Sequence, residues 1–342
     1  MMKSLRRFWG SVVIAAAAFC SAAMSAQNLE SYLPANMDGA LIVNSGKIIS
    51  HPLVAEFIPM VQQELQPLGL SVDDLRGRLI VGFANLAASI STEKPEALDF
   101  VALVRFERPV VEKLLAMLDA KCITTDGSDK YKKLTIGNVQ ARLFKDDQIN
   151  LAVVAADKNT IQVFKVANPA AIAPLAPVGK NVLTPLAAAK KDAFDAAFAV
   201  SCDAKKLVDA MKIILAQSGE LPGVDPRDFM KTLELLDFGM GTLDATPTGI
   251  SLWSISRCKD AAGPQALAEM DRKSREKVVA EMPFLKPICD RQKTTISGRD
   301  YICTLDLTNE ELVGLIQAGM LYVMQQSAAQ AEAAAPAAAP AK

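Results

Sequence analysis

The chain has a single histidine, His51, in 342 residues. One imidazole excludes every metal site that needs two or more His ligands, and zinc hydrolases as a class go with them. A Ser-His-Asp hydrolase would have to use His51 as its base. No Gly-x-Ser-x-Gly elbow is present, however, and His51 sits in "SHP", residues 50–52, which reads as a helix start. Tryptophan is nearly as scarce, at Trp9 and Trp253, so stacking platforms for sugars are few. No Cys-x-x-Cys pair occurs, which argues against a thioredoxin-like redox centre. The glycines of "GVDPRDF", "FGMGT" and "TPTGI" match neither a Walker loop nor a dinucleotide fingerprint. The triplet Asp237-Phe238-Gly239 stands without the other parts of a kinase. No metal, cofactor or catalytic residue is expected.

A basic stripe is also missing. The densest cluster, Lys130–Lys133, lies beside Asp126 and Asp129. Nucleic-acid binders carry a basic face, so no nucleic acid is expected as a partner.

The N-terminus reads as a secretory signal peptide. It has Lys3, Arg6 and Arg7, then an apolar run over Val12–Phe19, then small residues over Ser21–Ala26. The run is shorter than the ~20 residues of a bilayer-crossing helix, and Cys20 follows Phe19 where a lipoprotein signal wants a small residue. Cleavage is expected between Ala23 and Gln27, giving an exported protein of the periplasm or cell envelope. Without residues 1–26 the chain keeps 34 Lys+Arg against 38 Asp+Glu, a net charge of −4. No later apolar run reaches spanning length, so the processed chain is not expected to span a membrane. At the other end, residues 327–342 are Ala/Pro-rich and read as a disordered tail, with a frayed helix continuing to Pro336 as the alternative.

Between these ends the pattern occurs twice. Residues 40–47 read as a strand, followed by a helix from Ser50 through Glu64 kinked at Pro59. Strands at 78–85 and 98–106, a helix over 107–120 and short strands through 166 complete the first run. Residues 196–306 repeat the order: strand, helix, turn region, two strands, helix, hairpin. Ala40 aligns with Ala197 and Gly82 with Gly239, each 157 residues apart. The glycines are expected to let a helix approach the sheet. The fold class is therefore α+β, with two similar β-α-β-β-α-β copies of the split type, largely antiparallel sheets and helices on one face. The first copy takes residues 27–180 and the second 181–326. Pro169, Pro174, Pro177 and Pro185 mark the junction as a linker.

The opening phrase of the first copy, "YLPANMDGALIV" at Tyr32–Val43, together with the two-copy layout, resembles a loose group of signal-peptide-bearing bacterial envelope proteins built on domains of unknown function. That resemblance implies the layout and an envelope location, and it implies no site residue.

Five cysteines lie outside the signal segment: Cys122, Cys202, Cys258, Cys289 and Cys303. An oxidising compartment favours disulfides, and Cys258 with either Cys289 or Cys303 is the expected bridge. Cys202, within an apolar strand, is expected to be a buried, inert thiol. The acidic pairs Asp73/Asp74 and Asp225/Asp228 read as helix caps, with carboxylate catalysis as the alternative. Lastly, Thr308 and Glu311 form a Thr-x-x-Glu capping box. Beyond it, Leu312, Leu315, Ile316, Gly319, Met320 and Val323 form one stripe, and Val313, Leu321, Tyr322 and Met324 add apolar surface outside it. Either this helix wedges between the two copies, or Leu321, Tyr322 and Met324 form a docking face for a partner or a second copy, a homodimer. The expected function is a non-enzymatic envelope binding or scaffold protein for another protein or a small apolar ligand. The alternative is a carboxylate-dependent envelope hydrolase.

Overall fold

A computed structural model describes residues 29–91, 97–126, 131–136, 139–145, 150–166, 172, 175–218 and 226–334. Strand β1 (Gly39–Asn44) is followed by helices α1 (Ser45–Ile49), α2 (Pro52–Ala55) and α3 (Ile58–Leu65). Then come β2 (Gly77–Ala84), α4 (Leu86–Ser91), β3 (Asp99–Phe106), α5 (Val111–Asp126), β4 (Tyr131–Ile136), β5 (Val139–Lys145), β6 (Asn150–Ala155) and β7 (Thr160–Lys165). Helix α6 (Thr184–Ala189) leads to β8 (Phe198–Asp203), α7 (Ala204–Ser218), α8 (Pro226–Leu235), β9 (Leu236–Thr246) and β10 (Gly249–Cys258). The chain closes with α9 (Gly263–Glu281), α10 (Lys286–Arg291), β11 (Lys293–Ser297), β12 (Asp300–Thr308) and α11 (Asn309–Ala334).

The fold is α+β, but the halves do not build separate sheets. All twelve strands form one antiparallel sheet in the order β11-β12-β10-β9-β8-β1-β2-β3-β7-β6-β5-β4. The first strands of the two halves, β1 and β8, pair at its centre. Outward from there each half runs first, second, third strand, and its last strand then returns against the third: β7 on β3, β12 on β10. This is not the split unit expected from the sequence, because the first helical crossover of each half, β1 to β2 and β8 to β9, returns to an adjacent antiparallel strand, while the second carries the chain outward to β4 and to β11. The first half carries four strands after its second helix and the second half two.

Register locates the relation between the halves. Ile42 pairs with Ala199, and these positions are 157 apart, the same offset as Ala40 and Ala197. The Gly82–Gly239 equivalence fails. Gly82 pairs with Ala40, whereas Gly239 pairs with Cys202 opposite Gly39, so the two glycines point to opposite faces. What approaches Gly82 is the N-terminal segment rather than a helix: an added Cβ there would lie 2.3 Å from Leu33 Cδ1.

One face of the sheet carries the helices. Leu65, Val111, Leu114 and Leu115 pack with Leu79, Val104, Phe106 and Ile161 in the first half. Leu267 packs with Cys258 and Tyr301 in the second. The opposite face is covered by the 3-10 turn Leu29–Tyr32, Leu33 and the segment 175–196, where Leu183 and Leu186 are fully buried. The segment expected to be a linker is thus core. Pro185 sits in the first turn of α6, while Pro169 and Pro174 lie outside the described residues. The helix expected over Ser50–Glu64 is broken into α2 and α3, with Pro59 in the first turn of α3, where its missing N–H has no partner to lose. Helix α11 runs to Ala334, eight residues into the expected tail, because alanine is the strongest helix former. The signal segment and residues 335–342 lie outside the described residues.

Candidate functional site

The residues first suspected of chemistry are occupied with structure. His51 Nδ1 accepts from the Leu53 N–H at 3.3 Å as the cap of α2. Its other nitrogen, Nε2, therefore carries the proton and donates to the Gly249 carbonyl at 3.2 Å. Both nitrogens are used, and no lone pair is left for a base. Gly249 admits this approach at the crowded start of β10, where an added Cβ would lie 1.9 Å from the Leu307 carbonyl oxygen. Asp74 closes a capping box with Ser71 at the 3-10 turn Val72–Leu75. Burial pushes its pKa up, but hydrogen bonds from Ser71 and the charges of Lys113 and Arg108 bring it below the usual carboxylate value. Asp73 accepts from Arg76 at 2.9 Å and from Arg108 at 3.3 Å. Asp225 and the Asp228 side chain lie outside the described residues. Among the described residues no group of three or more His, Cys, Asp and Glu side chains is gathered to hold a metal.

The expected bridge is absent: Cys258, Cys289 and Cys303 are free thiols. Cys303 pairs across the ladder with Ser254, four residues from Cys258 along β10. Four residues of strand span about 13 Å, whereas bridged Cα atoms lie within about 7 Å. Cys258 is instead enclosed against Gly263 at the start of α9. Cys289 sits on α10, not on the ladder. Cys202 is half-buried, and its thiol donates to the Gly239 carbonyl at 3.3 Å. The Cys122 side chain lies outside the described residues.

Among the described residues, three surfaces are candidates for a site. The first is a cleft of about 520 Å³ at the ends of β9, β10 and β12, lined by Thr246, Ser251, Arg291, Lys293, Thr304 and Asp306. Polar and apolar surface line it about equally, Ile250 and Leu307 included, and Arg291 is already paired with Glu311 at 2.5 Å.

The second is apolar and central. Leu41 faces Val200 and Val43 faces Phe198 across the β1–β8 ladder, so all four side chains point to the helical face. Leu41, Phe198 and Val200 are 39%, 36% and 43% exposed. Central strands of a wide sheet are ordinarily roofed, but here the helices of the two halves leave a strip between them. It is bridged at both ends. At one end Lys47 of α1 pairs with Asp244 at 2.8 Å, beside the His51–Gly249 contact. At the other, α4 packs on α7 and Lys206 pairs with Asp38 at 2.9 Å. No local signal in the sequence exposes this strip, because an apolar strand reads as buried whatever covers it.

The third surface is α11. Its inner side, with Leu312, Leu315 and Tyr322 half-buried, packs on β10, β12 and the 3-10 turn Pro283–Leu285. Leu321 and Met324 are exposed, as the docking reading requires. Tyr322 does not belong with them, since its ring lies on Phe284 with centroids 5.8 Å apart. Ile316 and Met320, expected on the inner stripe, are exposed. A helix this open on one side is not wedged between the halves.

Among the described residues no helix is long and apolar enough to cross a membrane. No family model matches the chain, and no curated protein matches it. Among solved structures, three crystal forms of TP0453 are similar to it in layout. Form III has a TM-score of 0.45 at 11% identity, covering 85% of this chain and 98% of that one. Forms I and IV have TM-scores of 0.40 and 0.41 at 10% identity, each covering 85% of this chain and 97% of that one.

Proposed function

We propose that this is an exported, non-enzymatic envelope protein that binds a small apolar ligand or an extended apolar segment of another protein on the strip over β1 and β8. The observation that carries the reading is the exposure of Leu41, Phe198 and Val200 on the two central strands. Contiguous exposed apolar surface of this kind marks binding sites more often than chance exposure does, and the fixed strands beneath it hold the side chains at low entropic cost. Export rests on the N-terminal signal pattern. Binding is favoured over carboxylate hydrolysis because a glycosidase-type acid needs a raised pKa, whereas Asp74, Asp119, Glu269 and Glu311 are all lowered.

The test uses the neutral fluorophore N-phenyl-1-naphthylamine as probe. Val200→Lys should weaken its binding at least tenfold, with the thermal midpoint held within about 2 °C because the position is already exposed. Met320→Lys on α11 should leave probe binding unchanged. Equal probe binding by wild type and Val200→Lys would sink the strip as the site.

A further inference from the structure

Helix α11 is apolar on two opposite sides. A helix that is apolar all round is ordinarily buried all round. Here the inner side rests on the sheet, while Val313, Ile316, Met320, Leu321 and Met324 stand 38% to 65% exposed. The exposed side chains leave apolar surface on the order of 500 Å². We propose that this outer face is the interface of a symmetric dimer, in which α11 of one copy lies antiparallel on α11 of a second copy of this chain.

Charge selects the partner. From Leu312 to Ala331 the chain carries no Asp, Glu, Lys or Arg, so the face offers nothing to a charged peptide, nucleic acid or anionic surface. It meets its own copy without like-charge repulsion. At the helix start, Glu311 is neutralised by Arg291. The spacing is also self-complementary. Val313 and Ile316 are three apart, as are Leu321 and Met324. A dyad near Ala318 therefore sets Val313 of one copy opposite Met324 of the other, and Ile316 opposite Leu321, with helix dipoles opposed. Pairing two such faces removes about 1,000 Å² from water, the lower bound for a specific interface.

Sedimentation equilibrium of the full chain should give the mass of two chains at tens of micromolar. Ile316→Glu/Met320→Glu should reduce it to one chain with the far-UV spectrum unchanged. Phe57→Glu/Met60→Glu, which changes an exposed apolar pair elsewhere, should leave the dimer intact. A charge pair tests the orientation. Val313→Lys and Met324→Glu should each weaken dimerisation at least tenfold, and the two together should restore it, because antiparallel helices set lysine against glutamate while parallel helices set like charges together. A single-chain mass for the wild type at all concentrations, or a dimer that survives Ile316→Glu/Met320→Glu, overturns the proposal. Failure of the charge pair to restore the dimer overturns the antiparallel arrangement. Probe binding at the β1–β8 strip is read separately and does not depend on this outcome.

Discussion

Asp119 is enclosed by donors from the neighbouring strands. Arg142 holds it with two parallel bonds of 3.1 and 3.0 Å, Lys133 lies at 2.8 Å, and the Tyr131 hydroxyl donates to the same carboxylate. Burial pushes its pKa up, but these partners outweigh burial and hold it well below the usual carboxylate range. The folded-state value is thus lower than the unfolded one. The stabilisation is complete above about pH 5 and is lost progressively as the pH falls. Asp119→Asn leaves Arg142 nearly buried without its anion, so a loss of about 3 kcal/mol is expected at pH 7. The difference from wild type should shrink in urea titrations between pH 5 and pH 3. A difference that stays constant with pH would refute the electrostatic account. Cys258 gives a second residue-scale prediction. Burial, followed by the charge of Asp260, pushes its thiol up to about 11, which leaves little thiolate at pH 8. Maleimide should miss Cys258 in the folded protein and label it in guanidinium. A peptide map containing a Cys258–Cys289 or Cys258–Cys303 bridge would count against this. The odd number of cysteines was legible in the sequence, but their separation was not, because it follows from a strand register that spacing alone does not reveal.

The ends of elements were read more reliably than their surroundings. The capping box expected at the last helix is formed: Thr308 Oγ1 accepts from the Glu311 N–H at 3.2 Å, and Glu311 accepts from the Thr308 N–H at 2.9 Å. Two free donors are satisfied at once, so Thr308→Ala should destabilise α11 by about 1 kcal/mol. Amide exchange should quicken over the first turn of α11 while β12 is unaffected; exchange that quickens along β12 instead would mean the cap is not local. The hairpin β11–β12 was likewise legible, with Gly298 in the left-handed region at φ 60°, as were the strands β8, β9 and β10. Helix α8 was read as a turn because "PGVDPRDF" is dense in breakers; Pro226 instead occupies its first position, where proline is tolerated. The two sides of α11 were legible as excess apolar surface. Their assignment was wrong at Ile316, Met320 and Tyr322, since 3.6-residue periodicity orders a helix face without saying which part meets the sheet.

At the scale of the whole molecule, a recurring order of strands and helices was legible in the sequence, and the single sheet built from both halves was not. Short apolar runs identify β1 and β8 as strands, but nothing in either says that they pair with each other. Their pairing removes two edges that separate sheets would have left open and makes one core from both halves. Leu33, Ala40, Ile42, Ile80 and Leu103 from the first half pack in one cluster with Val182, Leu183, Leu186, Ala199, Met240 and Ile255 from the second. Arg78, paired with Glu30 of its own half at 2.6 Å, adds a polar tie across the same boundary to Asp195 at 3.2 Å. Separating the halves would expose the β1–β8 ladder and this core together, and either half alone would present a long apolar central strand as a bare edge. The protein is therefore expected to unfold in one cooperative step despite its length. Scanning calorimetry should give a single transition whose calorimetric and van't Hoff enthalpies agree. Residues 27–180 and 181–326 expressed separately should fail to fold, and mixing them during refolding should recover the native spectrum. Two resolved transitions, or a soluble and cooperatively folding fragment 27–180, would mean that the central ladder is an interface between independent domains and not the middle of one sheet.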